Sequence, residues 1–244
     1  MMRTRVIAHR GSSDRHPDNS WAAFRAAAGE GADAIECDVV TTRDGVLVVR
    51  HDLALAGVAV ADLDAAALVA SEPETIRFRE LVLWAQRVTI DLLIEVKDPA
   101  AMRDVGAAVD RSPWREHIVV AGFHGPALAA LKRSHPNLRT SFMMGSVVGA
   151  DELVHLARAY RVDGVHPCWD GRSPRPHRLI DAALVERVRH ERLALTLWHE
   201  EREDELRALV ALGPDAICTN TPAALRAIVD AQAGIRMSVP EESP

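Results

Sequence analysis

His9 and Arg10 stand side by side where the first apolar run, "RVIA", gives way to Gly11 and small polar residues. Farther along, Glu36 and Asp38 lie two apart in "AIECDVV", His51 and Asp52 close "GVLVVRHD", and Glu95 and Lys97 repeat the two-residue spacing in "LLIEVK". In a strand, residues two apart share a face. Glu36 and Asp38 therefore project together, and so do Glu95 and Lys97. Carboxylates gathered in apolar surroundings repel one another and shift toward protonation. A divalent cation relieves that repulsion, and hard oxygen ligands suit Mg²⁺ or Ca²⁺ better than zinc. The alternative is an ion network in which Arg10 and Lys97 neutralise the acids and no metal binds. A cation together with Arg10 and Lys97 makes a strongly positive pocket suited to a phosphate, whose oxygens the arginine fork matches in pairs. His9 and His51 flanking such a centre have the side-chain chemistry of a general acid and base near neutral pH.

For these residues to meet, the elements must carry them to one place. Eight short apolar runs occur at 4–9, 34–40, 92–97, 118–123, 140–144, 163–169, 193–199 and 215–220. Helical segments follow at 19–29, 75–88, 100–110, 125–134, 150–160, 177–191, 202–212 and 222–232. In 150–160, for instance, Leu153, Val154, Leu156 and Ala157 recur at helical spacing. Gly213 follows one helix where a left-handed cap is wanted, and Pro126 and Pro222 sit near helix starts. Eight β-then-α units predict an α/β fold, a (β/α)₈ TIM barrel forming one domain over 1–233, with 234–244 a flexible tail. A doubly wound open sheet is the rival, but no G-x-G-x-x-G follows the first run. The C-terminal ends of barrel strands hold the active face. That rim gathers His9, Arg10, Glu36, Asp38, Glu95 and Lys97, and adds His166 and Trp198 from the sixth and seventh strands as lining residues. Residues 43–50 read as a hairpin arm turning at Asp44-Gly45, and 53–72 as an Ala-rich insertion near the mouth. His16, His117, His124, His135, His155, His177 and His190 lack companions in the sequence and are expected at the surface.

The segments "HRGSSDRHPDNSWAAF", "GADAIECDVVTTRDGVLVVRHD" and "LLIEVKD" together resemble the glycerophosphodiester phosphodiesterase family. Trp198 and "PDAICTNTPAAL" extend the likeness to about residue 230. The resemblance implies a barrel that hydrolyses glycerophosphodiesters to sn-glycerol 3-phosphate and an alcohol such as choline or ethanolamine. It implies a divalent metal on Glu36, Asp38 and Glu95 (Mg²⁺ or Ca²⁺, with Mn²⁺ a further candidate), acid–base chemistry by His9 and His51, and phosphate contacts by Arg10 and Lys97. It also implies attack by the substrate's own glycerol hydroxyl, giving a cyclic phosphate that water opens. Three features depart from the family pattern. Asp18 stands where the family commonly has Glu. The segment after His51-Asp52 is short and nearly uncharged. After Trp198, His199-Glu200-Glu201 replaces the frequent Thr-Val-Asn. A lysophospholipase D-like activity and a non-catalytic barrel that binds phosphorylated ligands are the alternative readings.

Composition narrows the partners. Hydrophobic residues make up 48% of the 244, enough for a large core, and aromatics only 4%, so Ala, Val, Leu and Ile must fill it. A net charge of −6 with no basic run argues against nucleic acid and anionic membranes, so an anionic substrate must be drawn by local charge. No run reaches the ~18 apolar residues of a membrane span. The N-terminal segment has no signal-peptide core, and the three cysteines show no zinc or disulfide spacing. The expectation is a cytoplasmic protein acting on a small-molecule substrate; nothing in the sequence speaks to its oligomeric state.

Overall fold

The structure, a computed structural model, describes residues 3–238. Strand β1 (Arg5–Ala8) leads through helix α1 (Trp21–Gly29) to β2 (Ala34–Thr41). An arm follows: β3 (Leu47–Val49), the ribbon β4 (Ala54–Leu55) and β5 (Val58–Ala59), helix α2 (Ala65–Ser71) and β6 (Ile76–Arg77). Helix α3 (Phe78–Val88) returns the chain to β7 (Asp91–Val96). The alternation is regular from there: α4 (Met102–Asp110), β8 (Ile118–Gly122), α5 (Gly125–Ser134), β9 (Arg139–Met144), α6 (Ala150–Tyr160), β10 (Gly164–Pro167), α7 (Ala182–His190), β11 (Ala194–Leu197), α8 (Glu203–Leu212), β12 (Ala216–Thr219) and α9 (Pro222–Ser238).

The eight strands β1, β2, β7, β8, β9, β10, β11 and β12 pair in parallel, and the pairing of β1 with both β2 and β12 closes the sheet. The fold is a (β/α)₈ barrel. Its strands are buried on both faces, which is why they read as near-continuous apolar runs. Inward-facing Ile7, Ala34, Leu93, Ala121, Met143, Ala216 and Cys218 pack in the barrel interior. The outward faces meet the helices: α6, for example, buries Leu153, Val154 and Ala157.

A repeated device sets the strand starts. Asp33, Asp163 and Asp215 each stand one residue before a barrel strand, and each accepts a backbone N–H from a neighbouring strand: Val6 at 2.7 Å, Thr140 at 2.7 Å and Leu195 at 2.8 Å. Strands in a staggered barrel begin with amides that no neighbour can reach, and a carboxylate supplies the missing acceptor.

The arm forms as its turn chemistry predicts: β3 runs antiparallel to β2, with Gly45 at φ +77° in the connection. The insertion packs under the arm, where Val60 and Leu68 bury against Val40 and Val48. The two largest departures from the expected boundaries are in helices. The helix anticipated from 177 starts at Ala182, because Asp181 caps it through Leu184 N at 2.8 Å and the preceding Pro176–Arg178 forms a 3₁₀ turn. Helix α9 continues to Ser238, past the 233 boundary set for the domain, and residues 239–244 of the anticipated tail lie outside the described residues. Among the described residues, no helix is long and apolar enough to cross a membrane.

Candidate active site

The β1–α1 turn organises one wall. Arg10 adopts φ 55°, an uncommon conformation for a side chain with a Cβ, and Gly11 follows at φ +89°. A Cβ on Gly11 would stand 2.6 Å from the Ala23 backbone, so only glycine lets the turn close on α1. The turn aims the Arg10 amide at Glu36 Oε2 (2.9 Å) and its guanidinium at Asp18 Oδ2 (2.8 Å) and Asp38 Oδ2 (3.1 Å). The Asp18 carboxylate thus reaches Arg10 despite being one methylene shorter than the glutamate common in the family. Asn19, also left-handed at φ 52°, donates to Asp38 Oδ2 at 2.8 Å and accepts from the Asp38 amide at 3.3 Å. Ser20 then caps α1 through Ala23 N at 3.1 Å.

Register brings the acids together. Asp38 pairs directly with Glu95 across β2 and β7, and Glu36 lies two residues earlier on the same face. The carboxylates of Glu36, Asp38 and Glu95 are all buried and offer ligand atoms within 4.8 Å of one another. Lys97 Nζ lies 2.7 Å from Glu95 Oε1 and 3.5 Å from Asp38 Oδ1. The ion network is therefore real, but it is incomplete. Glu36 Oε1, Asp38 Oδ1 and Glu95 Oε2 are buried with no hydrogen-bond partner among the described residues. Buried carboxylate oxygens are costly to leave unpaired. One orphan on each of three converging acids fits a hard divalent cation.

The protonation equilibria follow from this crowding. Burial, then the charges of Asp38 and Glu95, hold Glu36 well above the usual carboxylate range. Burial and Asp38 raise Glu95 as well, against the pull of Lys97. Burial works against the charged forms of Arg10 and Lys97, but Asp38, Asp18 and Glu36 outweigh it and raise Arg10, and Glu95 and Asp38 outweigh it and raise Lys97.

His9 is the first residue past β1, buried, with its Nε2 3.9 Å from Glu36 Oε2. Its Nδ1 lies 2.7 Å from Asn220 Oδ1. The His9 ring stacks on His199 (centroids 4.8 Å, 17° between planes) and meets Trp198 edge-on at 5.0 Å. Burial first, then the neighbouring His199 and Arg10, push its pKa down to about 4, so His9 is neutral at physiological pH. His51 follows β3 at the rim and is half exposed. It pairs through Nδ1 with Asp52 at 2.8 Å and borders a cavity it shares with Asp18 and Asn19.

Trp198 centres an aromatic group that includes His166 at 5.3 Å and Phe123 at 6.2 Å. His166 is fully buried, and burial pushes its pKa down to about 3. It packs beside Trp198, near enough to His9 for the second imidazole to add to the lowering, and has no open surface. Three histidines expected to lack companions have them: His117 pairs with Asp91, His135 with Asp110 and His177 with Glu205. Each partner comes from a distant part of the chain, so the pairings left no local trace.

Asn19, Ser13, Glu201 and Asn220 stand in this site with no role expected of them from sequence. Asn19 lay inside the quoted "HPDNS"; Asn220 could have been found by extending the β1–β12 register, which places it beside His9. A second cavity of about 670 Å³ opens at the other end of the barrel, where Ala34, Ser141, Gly164 and Ala216 leave space. It contains none of these residues, and its rim charges are already partnered, as in Arg5–Asp91 at 2.6 Å.

The arrangement matches a known family. Residues 9–224 fit the glycerophosphoryl diester phosphodiesterase family. A glycerophosphodiester phosphodiesterase of Caldanaerobacter subterraneus subsp. tengcongensis is 27% identical over 92% of this chain and 97% of its own. A crystal structure of a glycerophosphodiester phosphodiesterase from Parabacteroides distasonis superposes with TM-score 0.78 at 21% identity, covering 95% of this chain and 98% of that one. A phosphodiesterase of Oleispira antarctica, solved with the product sn-glycerol-3-phosphate, superposes with TM-score 0.77 at 19% identity over 93% of this chain and 97% of its own. With the family pattern spanning nearly the whole barrel and its acidic centre, this chain belongs to the glycerophosphoryl diester phosphodiesterase family.

Proposed function

We propose that the protein is a divalent-metal-dependent hydrolase that cleaves glycerophosphodiesters to sn-glycerol 3-phosphate and an alcohol. The observation that carries this reading is the trio of orphaned carboxylate oxygens on Glu36, Asp38 and Glu95, gathered beside a neutral, buried His9. With its acids ionised, the buried trio outweighs the positive charges of Arg10 and Lys97, and Asp18 adds a further negative charge at Arg10. A divalent cation would offset this excess and let the site accept a phosphodiester monoanion. Held by Glu36, Asp38 and Glu95, such an ion (Mg²⁺, Ca²⁺ or Mn²⁺) would offset charge on the phosphate and lower the pKa of a nearby hydroxyl.

The chain's own residues do the rest. Arg10, fixed by Asp18 and Asp38, and Lys97, fixed by Glu95, hold phosphate oxygens. His9, neutral and with Nε2 facing the acidic centre, accepts the proton of the attacking hydroxyl. His51, on the rim and braced by Asp52, supplies a proton to the departing alcohol. Trp198 and Phe123 wall the leaving-group side, with His166 packed against Trp198.

A second reading has its own observation. Phe123 and Val147 are exposed large apolar residues in the loops after β8 and β9, and Leu53 is exposed two residues past His51; such a rim suits the acyl chain of a lysophospholipid. A substrate panel separates the two: glycerophosphocholine, glycerophosphoethanolamine, glycerophosphoglycerol and lysophosphatidylcholine, followed by released glycerol 3-phosphate and free head group. The main reading expects the first three to be turned over well above the fourth. Exclusive turnover of the lysophospholipid would replace it with the second.

A further inference from the structure

Ser13 Oγ stands 2.8 Å from two oxygens, the His9 carbonyl and Asn220 Oδ1, yet a hydroxyl has one hydrogen to give. Where that hydrogen goes is tied to the state of His9. If the Asn220 side chain faces inward with its oxygen, it accepts from Ser13 and from His9 Nδ1–H, and the His9 lone pair is on Nε2. If the amide is turned half a revolution, its NH₂ donates to Ser13 and to His9 Nδ1. Ser13 then donates to the His9 carbonyl, and the imidazole proton is forced onto Nε2. An asparagine amide offers either face at almost the same shape. The orientation of one amide thus decides which nitrogen of His9 can take up a proton.

The surroundings of Asn220 hold it to the task. Its backbone is gripped at both ends: the N–H donates to Glu201 Oε1 at 3.3 Å, and the carbonyl accepts from the Asp14 amide at 3.3 Å. The same Glu201 oxygen pairs with His199 Nδ1 at 2.8 Å, and the His199 ring is the one stacked on His9. Glu201 therefore braces the group at the edge of the imidazole and the ring against its face. The His9 amide donates to Thr219 O at 2.8 Å, which locks β1 and β12 in the register that sets Asn220 opposite Nδ1. At its other edge, Nε2 looks toward Glu36 Oε2 at 3.9 Å.

We propose that Asn220, braced by Glu201 and Ser13, is a positioning residue that presents Oδ1 to His9, keeps the imidazole proton on Nδ1 and thereby turns the Nε2 lone pair to the acidic centre. This rests on the reading of His9 as an acid/base group. A base at Nε2 needs this tautomer, because a proton fixed on Nε2 leaves nothing there to accept another. The cost of the wrong tautomer in a hydrolase is known to reach ~10⁴-fold in kcat.

The test is a two-bond ¹H–¹⁵N correlation spectrum of the full chain with ¹⁵N-labelled histidine and diamagnetic Mg²⁺ present. His9 is assigned by its loss in His9→Phe. The expected result is an Nδ1–H tautomer in the unmutated protein and in Asn220→Asp, which can only accept, and loss of that tautomer preference in Asn220→Ala. In parallel, Asn220→Ala should lower kcat for glycerophosphocholine by about 10²-fold with KM changed less than about threefold, and Asn220→Asp should recover most of the loss. A wild-type spectrum showing the proton on Nε2 overturns the proposal, as does an Asn220→Ala protein that keeps both tautomer and kcat. Should Asn220→Ala fail to fold, the wild-type and Asn220→Asp spectra decide alone. Should glycerophosphocholine prove not to be a substrate, the tautomer still tests this inference apart from the reading of function.

Discussion

Asp38 meets Asn19 and Arg10 through Oδ2 at 2.8 and 3.1 Å, while Oδ1, 3.5 Å from Lys97 Nζ, has no hydrogen-bond partner among the described residues. Asp38→Asn keeps the shape but removes the charge that Arg10 and Lys97 were placed to meet. Its expected effect is a loss of metal affinity of about 10²-fold, read by calorimetric titration, with a folded circular dichroism spectrum. His9→Ala and His51→Ala should each cut turnover by about 10²- to 10⁴-fold while metal affinity stays within a few-fold, because neither imidazole is assigned to the cation. Near-normal turnover in either would remove that residue from the acid–base pair. At this scale the sequence was informative wherever chemistry was written at short spacing. Glu36 with Asp38 and Glu95 with Lys97 announce themselves as shared-face pairs. Asn220 and Asn19 do not, because their partners are 211 and 19 residues away and amides carry no charge signature.

The strands and turns place these groups, and their residues can be tested without touching the chemistry. Gly11→Ala would set a methyl 2.6 Å from the Ala23 backbone at a φ of +89°. The β1–α1 turn must then shift, carrying the Arg10 amide away from Glu36, so activity and stability should fall together, the latter by about 1–3 kcal/mol in urea unfolding. Asp215→Ala removes the acceptor of the Leu195 amide at the opposite end of β11 and β12. It should cost about 1–3 kcal/mol of stability and leave metal affinity unchanged. The alternation of apolar runs with helical segments was legible because parallel barrel strands are buried on both faces. Where a side-chain cap or a prolyl turn resets a boundary, as at Asp181 and Pro176, periodicity alone overran it. The arm was visible through its Asp44-Gly45 turn. The insertion's ribbon and helix were not legible, since Val60 and Leu68 bury in a cluster with Val40 and Val48, which are distant in sequence.

Across the whole molecule, the net charge of −6 places the burden of attracting an anion on the mouth of the barrel. The same mouth controls stability against pH. Glu36 and Glu95 hold protons more tightly folded than at their ordinary value of about 4.5, so in metal-free protein they subtract stability as pH rises above that value. His9 acts in the opposite direction: lowered from 6.5 to about 4, it subtracts stability as pH falls through that interval. A cation displaces the carboxyl protons, so its stabilising effect should grow from pH 5 to pH 8. At a hundredfold excess over Kd the gain is about 2.7 kcal/mol, or roughly 5–10 °C in melting temperature for a chain of this size. An equal gain at both pH values would mean that the ion binds elsewhere.

On the proposed function, Glu36, Asp38 and Glu95 hold the cation on which phosphodiester cleavage depends. The most direct measurement of that dependence is glycerol 3-phosphate release from glycerophosphocholine by chelator-treated protein, before and after Mg²⁺, Mn²⁺ or Ca²⁺ is returned, with Glu36→Gln run alongside. The expected outcome is no turnover without metal, restored turnover with at least one of the three ions, and no restoration in the variant. Full turnover by the metal-free protein would contradict it.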